Sequence, residues 1–193
     1  MTCGQGGMIT TSSMETYEKC YALCNRGNLP GGTVNRYGII GDNLHLSELA
    51  ACVLMPQLEV LDAYCQHRET VLTFLDNHIA QIPGLNPVEQ FPDTSVRAQM
   101  SYAFYVDPTE LGVSLAEFVK IGRQLGIPLA PAHKSVSSDP QLQNAFGNSG
   151  DYPVANATQE ALLRIHHTAV LKGKEYWEGV LDQLFEGIKD SAK

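Results

Sequence analysis

A handful of polar side chains in this 193-residue chain could do chemistry. Asn43 offers amide N–H groups, sensible donors to a phosphate oxygen. Its plainer role is to cap or turn the chain ahead of a helix that starts at Ser47. His45, two residues on, is mostly neutral near pH 7 and lacks the planar fork of an arginine. His133 follows the Pro-rich residues 127–132 and by itself reads as a loop histidine without a role. His166-His167 looks like a metal pair, but adjacent residues on a helix point about 100° apart and make no chelating face. Cys20 and Cys24 share a helix face and read as small core residues, because no second Cys/His pair has a zinc-like spacing. Gly4-Gln5-Gly6-Gly7 precedes a strand and not a helix, so it is no dinucleotide loop. There is no P-loop, nucleophile elbow, zinc motif or RNA-binding aromatic signature.

These residues need elements to hold them. Residues 8–11 have the β-branched character of a short strand. Ser12-Ser13-Met14-Glu15 reads as a capping box, with Met14, Tyr17, Tyr21 and Cys24 at helical spacing and Gly27 as the stop. Residues 27–42 form a long Gly-rich loop. A helix is expected from Ser47, with a kink or break at Pro56. Beyond it Leu58, Leu61, Cys65, Arg68, Leu72, Leu75, Ile79 and Ile82 keep 3-4 spacing over about six turns, a connecting helix closed by Pro83-Gly84. Met100 to Val106 reads as a strand. Ser114-Leu115-Ala116-Glu117 caps a helix that stops at Gly126. Residues 127–132 are extended and 134–151 a loop. Two closing helices follow, separated near Gly173, the last with Trp177, Val180, Leu181, Leu184, Phe185 and Ile188 on one face. One strand and one helix cannot bury both their apolar faces, so the first 45 or so residues belong to a larger sheet.

Composition narrows the function classes. A net charge of −8 argues against phosphate-backbone binding, hence no nucleic acid. No window reaches the roughly 18–20 apolar residues of a membrane span, and no secretory leader stands at the N-terminus. Five scattered cysteines do not read as a disulfide framework and suit a reducing cytoplasm.

The order of several motifs carries a resemblance. Cys3-Gly4-Gln5-Gly6-Gly7-Met8-Ile9-Thr10-Thr11 resembles the Gly-rich turn and strand that follow the cofactor lysine in DegT/StrS-type aminotransferases. These are fold-type-I pyridoxal-phosphate enzymes that aminate keto-sugars and keto-cyclitols. Gly41-Asp42-Asn43-Leu44-His45-Leu46-Ser47-Glu48-Leu49-Ala50-Ala51 is similar to the family's G-x-N-x-R-x-S-E-x-x-A-A segment. Gln57-Leu58-Glu59-Val60-Leu61-Asp62 and Arg68-Glu69 continue it. Tyr102-Ala103-Phe104, Gly126-Ile127-Pro128, Ala132-His133 and Tyr152-Pro153-Val154-Ala155 follow in family order.

The resemblance implies an α/β protein: the C-terminal part of a fold-type-I transferase. Residues 1–45 would be a remnant of the large cofactor-binding domain, 46–84 connecting helices, and 85–193 a small α+β domain. It implies that the Schiff-base lysine falls upstream of Met1. Lys19, mid-helix and away from the motif, is no substitute, and the chain alone would be inactive. The shortness would reflect a fragment, a miscalled start or a split subunit. In the complete enzyme Asn43 would reach the cofactor phosphate of the neighbouring subunit, in a homodimer or with a separate N-terminal half. His45 and His133 would face the substrate. His45 stands where the family has arginine, which favours a smaller or uncharged keto-sugar or cyclitol over a nucleotide diphosphate. Glutamine or glutamate would donate the amino group. The alternative is a non-catalytic remnant or dimerisation subunit of the same fold.

Overall fold

The computed structural model describes residues 1–31, 37–97, 99–131, 134–147 and 152–191. It divides into two compact units, Met1–Asp62 and Ala63–Lys193.

The first unit holds α1 (Met14–Cys24) and α2 (Glu48–Glu59). Ser13 caps α1 through a bond from Thr16 N. The cap is therefore one residue later than the expected box, and Glu15 instead pairs with Lys19 at 2.6 Å. Residues 8–11 make no ladder bonds; among the described residues the expected strand has no neighbour to pair with. Ser47 caps α2 through Ala50 N. The helix runs through Pro56 and breaks four residues later, at Val60. Proline forfeits a single bond to the preceding turn, and the amide of Gln57 bonds the Val53 carbonyl beside it at 2.8 Å.

In the second unit α3 (Leu61–Ile79) leads into β1 (Leu85–Pro87), β2 (Ser101–Val106), α4 (Pro108–Leu111), α5 (Leu115–Gln124) and β3 (Leu129–Pro131). A 3-10 turn (Val136–Ser138), α6 (Pro140–Phe146), α7 (Pro153–Ala161), β4 (Leu162–His166), α8 (His167–Val170) and α9 (Lys174–Ser191) follow. The strands form one antiparallel sheet in the order β1-β2-β4-β3. Side chains alternate across a strand. Tyr102, Phe104, Val106, Leu163, Ile165 and Leu129 thus share the buried face, in one cluster with Leu75, Phe118 and Trp177.

Two expectations are corrected here. β4 lies where a helix was expected. Leu163 and Ile165, two apart and both buried, satisfy a strand in mid-sheet, and tertiary pairing overrides local preference. Residues 134–151, expected as loop, carry a 3-10 turn and α6, the latter capped by Asp139 through Gln141 N and Leu142 N. β2, α5 with its Ser114 cap, and the apolar face of α9 lie where the spacing predicts them.

Candidate functional site

Asn43 and His45 are positioned by the C-terminal end of α1. A helix end leaves carbonyls without partners. Here a neighbouring segment supplies the donors: Asp42 N bonds Leu23 O at 2.8 Å and Leu44 N bonds Cys24 O at 2.9 Å. Arg26 N returns a bond to Asp42 O at 2.9 Å, and Gly27 N closes on Ala22 O at 2.7 Å. Asn25 and Asn43 form an isolated antiparallel bridge.

Two glycines make this close approach possible. Gly27 has φ +85, and a Cβ built on it would stand 2.2 Å from Ile39 O. A Cβ on Gly41 would stand 2.3 Å from Gly27 N and 2.5 Å from Ala22 O. Backbone meets backbone at both positions, and a methyl has no room. The sequence shows these glycines only as part of a Gly-rich loop; their roles depend on which carbonyls face them.

The result is a short exposed segment with fixed backbone. Asn43 is exposed, and its side-chain amide has no hydrogen-bond partner among the described residues. It caps nothing: Ser47 caps α2, and the Asp42 carboxylate takes the Asn43 N–H at 2.7 Å. His45 is held differently. Its Nε2 lies 2.9 Å from Asn25 Oδ1. An amide oxygen can only accept, so in a neutral ring this contact selects the Nε2–H tautomer, with Nδ1 as an acceptor. Asn25, the C-cap of α1, was not among the expected site residues.

A second anchor ties the N-terminal segment to α2. Thr2 N donates to Gln57 Oε1 and Gln57 Nε2 donates to Thr2 O, both at 2.8 Å. The side-chain amide of Gln57 thus mimics a strand neighbour at the head of the Cys3–Gly7 turn.

Other expected positions separate from this group. His133 and the adjoining Ala132 lie outside the described residues, as do residues 32–36 of the Gly-rich loop. His166 and His167 do not share a helix. His166 ends β4 and His167 opens α8, with ring centroids 4.3 Å apart. His167 is half-buried. Burial, then the charges of His166 and Arg68, lower its pKa below the ordinary histidine value. Among the described residues no three His, Cys, Asp or Glu side chains group around a metal position.

The fit to pyridoxal phosphate can be tested on these side chains. The phosphate end needs N–H donors, and the unpartnered amide of Asn43 is suited to give one. The aldehyde end needs an amine able to form an imine. Lys19 is exposed and paired with Glu15, and Lys120 is paired with Glu117. Lys174 pairs with Glu178 and Lys189 with Glu186, Lys172 lies over the Tyr176 ring, and Lys134 is exposed. None stands in the first unit's Asn43–His45 segment. Among the described residues the Asn43 amide suits the phosphate end, and no lysine lies in the segment that carries it.

The fold is mixed α/β with a small antiparallel sheet. The model of the DegT/DnrJ/EryC1/StrS aminotransferase family matches residues 1–184, and the chain belongs to this family. Among curated relatives, the L-glutamine:2-deoxy-scyllo-inosose aminotransferase of Streptomyces lividus is 25% identical over 201 residues, covering 91% of this chain and 47% of the relative. The L-glutamine:scyllo-inosose aminotransferase of Streptomyces griseus is 23% identical, covering 89% and 46%. The chain thus spans about half the length of the curated relatives it matches. Among solved structures, S. venezuelae DesV in complex with a ketimine intermediate superposes with a TM-score of 0.74 at 20% identity, covering 92% of this chain and 45% of that one. 3-amino-5-hydroxybenzoic acid synthase gives 0.73 at 18% identity, covering 93% and 48%. The fold is shared. Among the described residues no helix is long and apolar enough to cross a membrane.

Proposed function

We propose that residues 1–193 form the C-terminal portion of a pyridoxal-phosphate-dependent aminotransferase that moves an amino group from glutamine or glutamate onto a keto-cyclitol or keto-sugar. The family match over residues 1–184 carries this reading, and the inosose aminotransferases among the relatives point to the substrate class. In this reading residues 1–45 are the remnant of the large cofactor-binding domain, 46–84 connect, and 85–193 are the small domain. The partner is the other half of the enzyme, or a second copy. The Schiff-base lysine lies outside residues 1–193, and these residues alone are inactive.

Asn43 gives an N–H to the cofactor phosphate of the neighbouring subunit. His45 and His133 face the substrate. With Asn25 holding Nε2–H, His45 presents Nδ1 as an acceptor, which suits a hydroxyl of a neutral cyclitol and not a phosphate.

Two measurements test this. Residues 1–193 are mixed with pyridoxal phosphate, reduced with borohydride and mapped by mass spectrometry; the expected result is scattered surface-lysine adducts only. A stoichiometric adduct at one lysine refutes the inactive-portion reading. In the complete enzyme, Asn43→Ala removes one phosphate donor worth about 1–3 kcal/mol, or about one to two decades of cofactor affinity. Asn43→Asp is worse, because it sets a carboxylate against the phosphate. Should Asp retain cofactor as well as Asn, the amide does not face the phosphate.

A further inference from the structure

The sheet face opposite the core carries a cation that has no counter-ion among the described residues. By alternation, Ser101, Ala103 and Tyr105 of β2 share this face with Leu162, Arg164 and His166 of β4 and Ala130 of β3. Arg164 is on an interior strand, and its register partners on the two sides are Ala103 and Ala130. Directly opposed side chains stand roughly 4.5–5.5 Å apart at Cβ, so two methyl groups flank the half-buried arginine. Its Nε lies 3.4 Å from Pro131 O, a long contact. Among the described residues no carboxylate lies within ion-pair distance of it.

Arg97, in the same unit, shows the contrast. It is nearly buried and meets both Glu69 and Asp76. A chain with a net charge of −8 does not lack carboxylates, yet none among the described residues answers Arg164.

We propose that Arg164 is the centre of a binding subsite for a small carboxylate. Its two terminal nitrogens form a planar fork that matches a carboxylate's two oxygens. The flanks set the rest of the ligand. Ala103, Tyr105 and Leu162 offer an apolar floor on one side. His166 and its register partner Ser101 are one row further along the same face. A single guanidinium beside an apolar floor suits a monoanion with a short apolar body; a phosphate dianion would call for a second cation.

The subsite lies wholly within Ala63–Lys193 and needs neither cofactor nor turnover, so its test is independent of the function proposed above. The chain is titrated at constant ionic strength with butyrate, with butanol as the uncharged shape control and with inorganic phosphate. The Arg164 Nε–H signal and the amides of Ala103 and Ala130 are followed by NMR. Butyrate is expected to shift all three saturably, butanol not at all, and phosphate more weakly. Arg164→Gln should weaken butyrate by at least tenfold, and Arg164→Lys, which keeps the charge without the fork, by less. Ala103→Leu should block binding by filling the floor while Arg164 remains. The core amides of β2 check that each variant is folded. No saturable shift with butyrate, equal binding by Arg164→Gln, or phosphate binding as tightly as butyrate would each overturn the assignment.

Discussion

The two units treat their apolar residues in opposite ways. In Met1–Asp62 the one buried apolar side chain among the described residues is Ala22, while Met8, Ile40, Leu49, Met55 and Leu58 are 60% to 97% exposed. No residue of α2 is buried. In Ala63–Lys193 two dozen apolar residues form a continuous cluster. Stability from burial scales with area removed from water, so the second unit carries a fold of its own. The first is held by hydrogen bonds: helix caps, the carbonyl-to-amide bonds around Gly27 and Gly41, and the Gln57 clamp. A partner half, as proposed above, would cover these exposed apolar side chains.

The largest expected effect tests that contrast. Trp177 is fully buried, and Trp177→Ala should cost about 3–5 kcal/mol. Leu49 is 82% exposed, and Leu49→Ala should change stability by less than about 0.5 kcal/mol. Chemical denaturation of both variants checks it. Similar losses would mean that α2 is covered in solution and that the units are not so different.

The Arg97 cluster comes next. Arg97 joins the segment before β2 to α3, since its N–H and side chain both meet Glu69. Burial pushes the Glu69 carboxyl up, but the hydrogen bonds and charge of Arg97 outweigh it and hold the pKa below the ordinary 4.5. A depressed folded pKa stabilises at pH above the ordinary value and is lost as pH falls through the folded one. The wild type should therefore lose stability below about pH 4.5, and Glu69→Gln should lose less over that window. At neutral pH Glu69→Gln should cost about 1–3 kcal/mol, because one partner of a nearly buried arginine is gone. Thermal melts from pH 3 to 7 read both arms; parallel curves for the two proteins would remove Glu69 from the acid transition.

What the sequence makes legible follows the same division. Period-3.6 and cap signals locate α1, α5 and α9, because those elements are set by neighbours along the chain. β4 is illegible, since Leu162–His166 becomes a strand only by lying between β2 and β3. The helix passes Pro56 and breaks at Val60, since one missing N–H need not end a helix, and the proline alone does not show that. For the site, the family motif picks out Asn43 and His45. It says nothing of Asn25, which is twenty residues from its partner His45. Nor does it reveal why Gly41 is glycine, which rests on backbone atoms from α1.

Gly41 gives the most local effect. Gly41→Ala puts a methyl where Gly27 N and Ala22 O stand at 2.3 and 2.5 Å, and both are backbone atoms with no rotamer to yield. The segment must lift from the helix end. That loses the bonds from Asp42 N to Leu23 O and from Leu44 N to Cys24 O. The cost should be about 1–3 kcal/mol, confined to the first unit. Hydrogen exchange at Asp42 and Leu44 should speed up, while the β2 and β4 amides keep their protection. In the complete enzyme the same change should weaken cofactor retention through Asn43, although Asn43 itself is untouched. Gly38→Ala is the matched control: its Cβ would meet the flexible Leu29 side chain and not backbone, so it should be milder. If Gly41→Ala leaves the Asp42 and Leu44 amides as protected as before, the segment is not held by the helix end. The positioning of Asn43 would then need another cause.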